Sequence, residues 1–182
     1  MSTEIIVRHC APTLAGLKVG NLFSYRYTDA REVLKALVEQ NKCLNKKGVF
    51  LIAVKIQNGT VLVYAYRENK LKEVLSDKDV QKFLKVYGYK DFSVSACLKK
   101  LRDSLLEEQF PHEIGVFLGY PLEDIKEFIR NKGENCSCIG CWKAYVNISE
   151  AEKTFAKFKK CTKIYCQKLL EGIDINRLTV NG

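Results

Sequence analysis

The chain has no stretch of about 18 consecutive apolar residues, the length needed to cross a bilayer, and this argues against a membrane-spanning protein. Its opening residues, Met1 to Arg8, lack a basic segment followed by a long apolar run, so they do not read as a secretory signal. A cytoplasmic location is expected. With only three prolines, no Pro- or Ser-rich linker, no internal repeat and no low-complexity stretch, the 182 residues read as a single domain over 1–182. A domain of that size can bury roughly 70% of the surface its unfolded chain exposes. Gly115 and Gly119 are not followed by Gly-Lys-Ser/Thr, which excludes a phosphate loop. Arginine is scarce, with only Arg67, Arg102, Arg130 and Arg177 beyond residue 31. Bidentate recognition of phosphates and bases favours arginine, and no nucleic-acid motif is present, so nucleic acid is not the expected partner.

What the chain does have is an ordinary globular composition, 47% hydrophobic and 28% charged, with a net charge of +9 from 30 basic and 21 acidic residues. The excess is local. Lys153, Lys157, Lys159, Lys160, Lys163 and Lys168 crowd one C-terminal segment, and Lys42, Lys46 and Lys47 another. Such a face either attracts anionic ligands through its long-range field or serves as a solvated surface. The eight cysteines, in a reducing cytoplasm, point to free, metal-bound or redox-active thiols rather than a disulfide framework.

Periodicity predicts a helix over about 29–41, with Ala30, Val33, Leu34, Leu37 and Val38 on one face and Thr28 or Asp29 as cap. Two β-branched runs, 49–56 and 61–66, flank Asn58-Gly59, the pair suited to a tight hairpin. Further helices are expected near 68–75, 77–87 and 93–108, and from Pro121 through Ile129. A final long helix should open at a capping box, Ser149 to Glu152. Residues 21–26, 114–118 and 142–146 read as additional strands, 114–118 because a run so short and apolar suits a buried strand. The expected fold is an α+β domain with a mixed sheet of about five strands, including the hairpin 49–66, and five or six helices.

Chemistry concentrates in the cysteines and the two histidines. Cys136, Cys138 and Cys141 fall within six residues after a polar loop, and Cys138-Ile139-Gly140-Cys141 has the two-residue gap of a metal knuckle. A second such pair is missing. Cys161 is the nearest further thiolate and Cys166 another, but five residues on a helix set them about 140° apart. His9-Cys10 and His112-Glu113 add imidazole, thiol and carboxylate groups. The candidate metal ligands are His9, Cys10, His112, Cys138, Cys141 and Cys161, with zinc or iron as the candidate ion. The candidate catalytic set is Cys10 as nucleophile, His112 as base and Glu113. Three readings stay open: a Cys/His site for metal binding or thiol redox chemistry, a thiol-dependent enzyme acting on a small anionic substrate, and a basic interaction or nucleic-acid-binding protein. The first two require these groups to meet in one pocket.

Three strings stand out together: Arg8-His9-Cys10-Ala11-Pro12-Thr13-Leu14-Ala15-Gly16-Leu17-Lys18, Pro111 through Pro121, and Gly140-Cys141-Trp142-Lys143-Ala144-Tyr145. They resemble domain-of-unknown-function family 3793, small bacterial proteins common in anaerobes, over nearly the whole chain. The resemblance implies an intracellular prokaryotic protein whose family motifs include His9, Cys10, His112, Glu113, Cys141 and Trp142. It brings no activity, cofactor or catalytic residue.

Overall fold

The structure, a computed structural model, describes residues 1–182. It is α+β, built on a three-stranded antiparallel sheet of order β1-β3-β2: β1 (Gly20–Arg26), β2 (Val49–Gln57) and β3 (Thr60–Arg67). The hairpin forms as expected. Asn58 and Gly59 both take positive φ, 50° and 70°, the geometry that joins right-twisted strands without splaying them. Lys55 pairs with Leu62 and Ala53 with Val63, leaving Val54 as a bulge.

Helices cover both faces of the sheet. On one face lie α1 (Thr3–Leu14), α2 (Ala30–Leu44), the long α8 (Ile148–Leu170) and α9 (Ile175–Leu178). They bury Ile6, Cys10, Leu14, Val33, Leu37 and Ile175 against Phe23, Leu51, Val61 and Val63. On the other face lie α3 (Glu68–Ser76), α4 (Lys78–Val86), α5 (Val94–Leu105), α6 (Ile114–Phe117) and α7 (Leu122–Arg130). There Leu71, Leu84, Leu101, Phe117 and Ile125 pack on Tyr64 and Tyr66. The middle strand β3 is therefore apolar in both directions, as a doubly covered strand must be.

Four expectations are corrected. The sheet is purely antiparallel and has three strands rather than five in a mixed sheet. What the 142–146 alternation signalled is a separate two-stranded ribbon, β4 (Cys138–Ile139) with β5 (Lys143–Ala144). The segment 114–118 is not a strand but the helical turn α6, with Val116 N–H donating to Glu113 and Leu118 N–H to Ile114. It is buried on every side, so its sequence carries no period to separate strand from helix. Helices number nine rather than five or six, because α1 and the single turns α6 and α9 were not anticipated. The capping box is also absent. α8 starts one residue before Ser149, from Asn147 in a left-handed conformation without a side-chain cap.

Candidate functional site

Lys18 is positioned by the end of α1. Gly16, at φ +70°, closes the helix in a Schellman motif, with Leu17 N–H donating to Pro12 O at 2.8 Å and Gly16 N–H to Thr13 O at 3.1 Å. The chain then turns inward toward β1, and the Lys18 side chain is carried under α8, only 7% exposed. Its Nζ stands 5.0 Å from the Tyr120 ring centroid and 5.9 Å from that of Phe158. The ionisable groups nearest to act on it are the thiols of Cys141 and Cys10, and it forms no salt bridge with a carboxylate. Burial lowers its pKa from the ordinary 10.5, with the two thiols opposing.

The β4–β5 ribbon brings Cys141 to this place. Asp124, on α7 and almost fully buried, accepts hydrogen bonds from Trp142 Nε1 at 2.8 Å, Tyr145 N at 2.8 Å and Val146 N at 3.0 Å. One carboxylate thus holds the ribbon and the entrance to α8. Tyr120 Oη donates to Cys141 O at 2.8 Å, and Trp142 lies edge-on to Phe155 of α8 with centroids 4.5 Å apart.

Between α1, the ribbon and α8 opens a cavity of about 480 Å³. Its walls are His9, Pro12, Lys18, Asn21, Cys141, Phe155, Phe158, Lys159, Thr162 and Lys163. Three lysines and an imidazole line it, and no acid does. Burial, and then Arg8, lowers the pKa of His9 below 6.5, so its ring, stacked on Phe23 at 4.8 Å, is neutral at physiological pH. Asn21 Oδ1 accepts from the Thr13 hydroxyl at 2.7 Å, which leaves its amide N–H groups free to donate. A larger cleft of about 720 Å³ lies on the other side of Lys18 and includes Glu73, Asp77, Asp124 and Glu150. Lys18 lines both spaces.

The predicted residues divide between places. His9 and Cys141 share the basic cavity. Cys10 is fully buried, and desolvation drives its thiol far above the ordinary range despite Lys18. It is held neutral among Ile6, Leu14 and Phe23, out of reach of a substrate. Cys161 faces the interior from α8, its pKa raised by burial. Cys138 pairs with Ala144 in the ribbon, and all eight cysteines are free thiols. His112 and Glu113 line a different cleft, of about 300 Å³, with Lys100 and Ser104. There His112 sits edge-on to Phe128 at 5.1 Å, and buried Glu113 accepts from Tyr89 Oη at a long 3.4 Å. They stay apart from Cys10 because α6, which follows them directly, is buried in the core on the opposite face of the sheet. No three His, Cys, Asp or Glu side chains converge on a point that could hold a metal ion.

Sequence reasoning passed over Lys18, Asp124, Lys159 and Lys163 as site residues. Lys18 lay at the end of the first distinctive string, but neither charge pattern nor spacing distinguishes a buried lysine from an exposed one.

Fold and site together define an α+β protein with a basic, thiol-bearing cavity under its longest helix. The chain belongs to the family described as "Protein of unknown function (DUF3793)", whose model matches residues 6–179. No curated protein and no solved structure matches it. No helix is long and apolar enough to cross a membrane.

Proposed function

We propose that this protein binds a small anionic molecule in the cavity between α1 and α8. The observation that carries the reading is the make-up of the walls: Lys159 and Lys163 exposed as cations at the rim, Lys18 at the inner end, and no carboxylate between them. Two rim cations raise the local concentration of an anion, and their pull weakens with salt. The neutral His9 imidazole, the Asn21 amide and the Thr162 hydroxyl add uncharged hydrogen bonds inside. Of the thiols, Cys141 is the one within reach of such a ligand, since Cys10 is sealed in the core.

Trp142 packs on Phe155, which lines the cavity, so its fluorescence is a suitable reporter. Titration with inorganic phosphate, citrate and pyruvate at low salt is expected to give saturable emission changes for at least one of them. The double variant K159A/K163A should weaken that binding about tenfold or more, the loss of two screened cationic contacts at ~0.7 kcal/mol each. Absence of saturation with every anion, or affinity unchanged in the double variant, overturns the proposal.

A further inference from the structure

We infer that Lys18 is a covalent-binding residue, condensing through Nζ with the carbonyl group of a small anionic aldehyde or ketone held in the cavity. This rests on the anion-binding reading above and deepens it by assigning the ligand class. The geometry divides the labour among the lysines. Lys159 and Lys163 are exposed and suited to hold a carboxylate or phosphate by charge. Lys18 is enclosed by the Tyr120 and Phe158 rings and has no acidic partner. Two ring faces favour an ammonium, but desolvation without a carboxylate partner opposes it, and a nucleophilic amine must shed its proton. The lowered pKa of Lys18 agrees with this assignment.

The step balances without any co-reactant. The lone pair of the neutral amine forms an N–C bond to the carbonyl carbon, giving a carbinolamine. The C–O bond then breaks, and both amine hydrogens leave with that oxygen as water, producing an imine. Neither partner is oxidised or reduced. The anionic group of the ligand stays at the rim while its carbonyl reaches inward to Nζ.

Glyoxylate with sodium cyanoborohydride tests the inference on the intact protein, because reduction fixes an imine as a stable secondary amine. The expected result is one dominant carboxymethyl adduct, mapped by peptide mass spectrometry to Lys18. Excess phosphate or citrate, whichever binds in the titration above and neither with a reactive carbonyl, should suppress it several-fold. K18R keeps a cation between the rings but cannot form the imine, so its adduct at this position should vanish while its circular dichroism stays that of the parent. K159A/K163A, with Lys18 intact, should slow the labelling several-fold. Adducts spread over exposed lysines in proportion to their accessibility overturn the inference, as does the absence of a reduced adduct at Lys18. If one of the anions still binds in that case, the anion-binding reading stands and only the covalent step falls. If none of phosphate, citrate and pyruvate binds, both fall.

Discussion

Arg67 and Lys18 are both buried basic side chains, and the fold treats them differently. Arg67, 1% exposed, donates from Nε to Thr13 O at 2.6 Å and from Nη2 to Leu14 O at 2.6 Å and Val180 O at 2.9 Å. It ties the last carbonyls of α1 to the C-terminal segment, so its charge is consumed by structure. Lys18 has rings and thiols around it and no such role, which is why it stands out as the chemical group. Glu113 is a third buried ionisable side chain, facing Tyr89, Lys100 and His112. Burial raises its pKa above the ordinary 4.5, more than its hydrogen bonds and the nearby cations lower it. A carboxyl raised in the folded state favours folding while protonated, and that contribution disappears as pH rises through its folded pKa. Glu113→Gln keeps an acceptor for Tyr89 and removes the buried charge. Its melting temperature should exceed that of the parent at pH 7, and the difference should close as pH falls below about 4.5, where Glu113 is neutral in the unfolded chain too. Thermal melts across pH 4 to 8 check this, and a gain independent of pH would contradict it.

Elements with a clear period were legible from sequence, and those without one were not. The helix expected near 93–108 forms as α5, which buries Val94, Leu98, Leu101 and Leu105 on one face, and Asp29 and Asp77 cap α2 and α4 by accepting backbone N–H bonds. α6 was misread because burial all round removes the alternation. The alternation at 142–146 signalled one strand of the β4–β5 ribbon but not its partner, and the ribbon stands because Asp124 and Phe155 hold it. Gly140 in its turn is a steric requirement: a Cβ there would overlap the Phe155 ring. Gly140→Ala should cost about 1–3 kcal/mol, the usual penalty of overpacking a tight contact. It should also detach Trp142 from Phe155, shifting Trp142 emission to the red and speeding iodoacetamide labelling of Cys141. Denaturant unfolding followed by fluorescence measures both effects, and an unchanged emission maximum would count against this account of the ribbon.

At the scale of the whole molecule, a small sheet separates two cores and leaves two edges. β2 is one edge, and α2 protects it. Asn41 Nδ2 donates to Leu51 O at 2.8 Å while Leu51 N–H donates to Asn41 Oδ1 at 2.9 Å, so one side chain stands in for a neighbouring strand. Beside it Leu34, Val38, Ile56 and Leu106 remain exposed. The expected apolar face of α2 is therefore only half used: Val33 and Leu37 enter the core, and Leu34 and Val38 border a groove along the edge. Asn41→Ala should cost about 1–2 kcal/mol by leaving the Leu51 backbone groups without partners. It should also promote concentration-dependent association through the opened edge, which denaturant melts and light scattering would detect. A variant as stable and as monodisperse as the parent would show that the edge needs no such guard.

Local elements are written along the chain: the 49–66 hairpin through Asn58-Gly59, the amphipathic helices α2 to α5, α7 and α8, and the surplus of lysine on the last of these. Each of these depends on contacts between near neighbours or on which face of an element is apolar, and a single strand of text carries both. That Lys18, Cys141 and Lys163 border one cavity while Cys10 is sealed and His112 lies elsewhere follows from packing alone. Periodicity states that a face is buried but not what it is buried against. Residues far apart in sequence meet through the packing of α1 and the ribbon on α8, and that arrangement is fixed by shape and by single contacts such as those of Asp124.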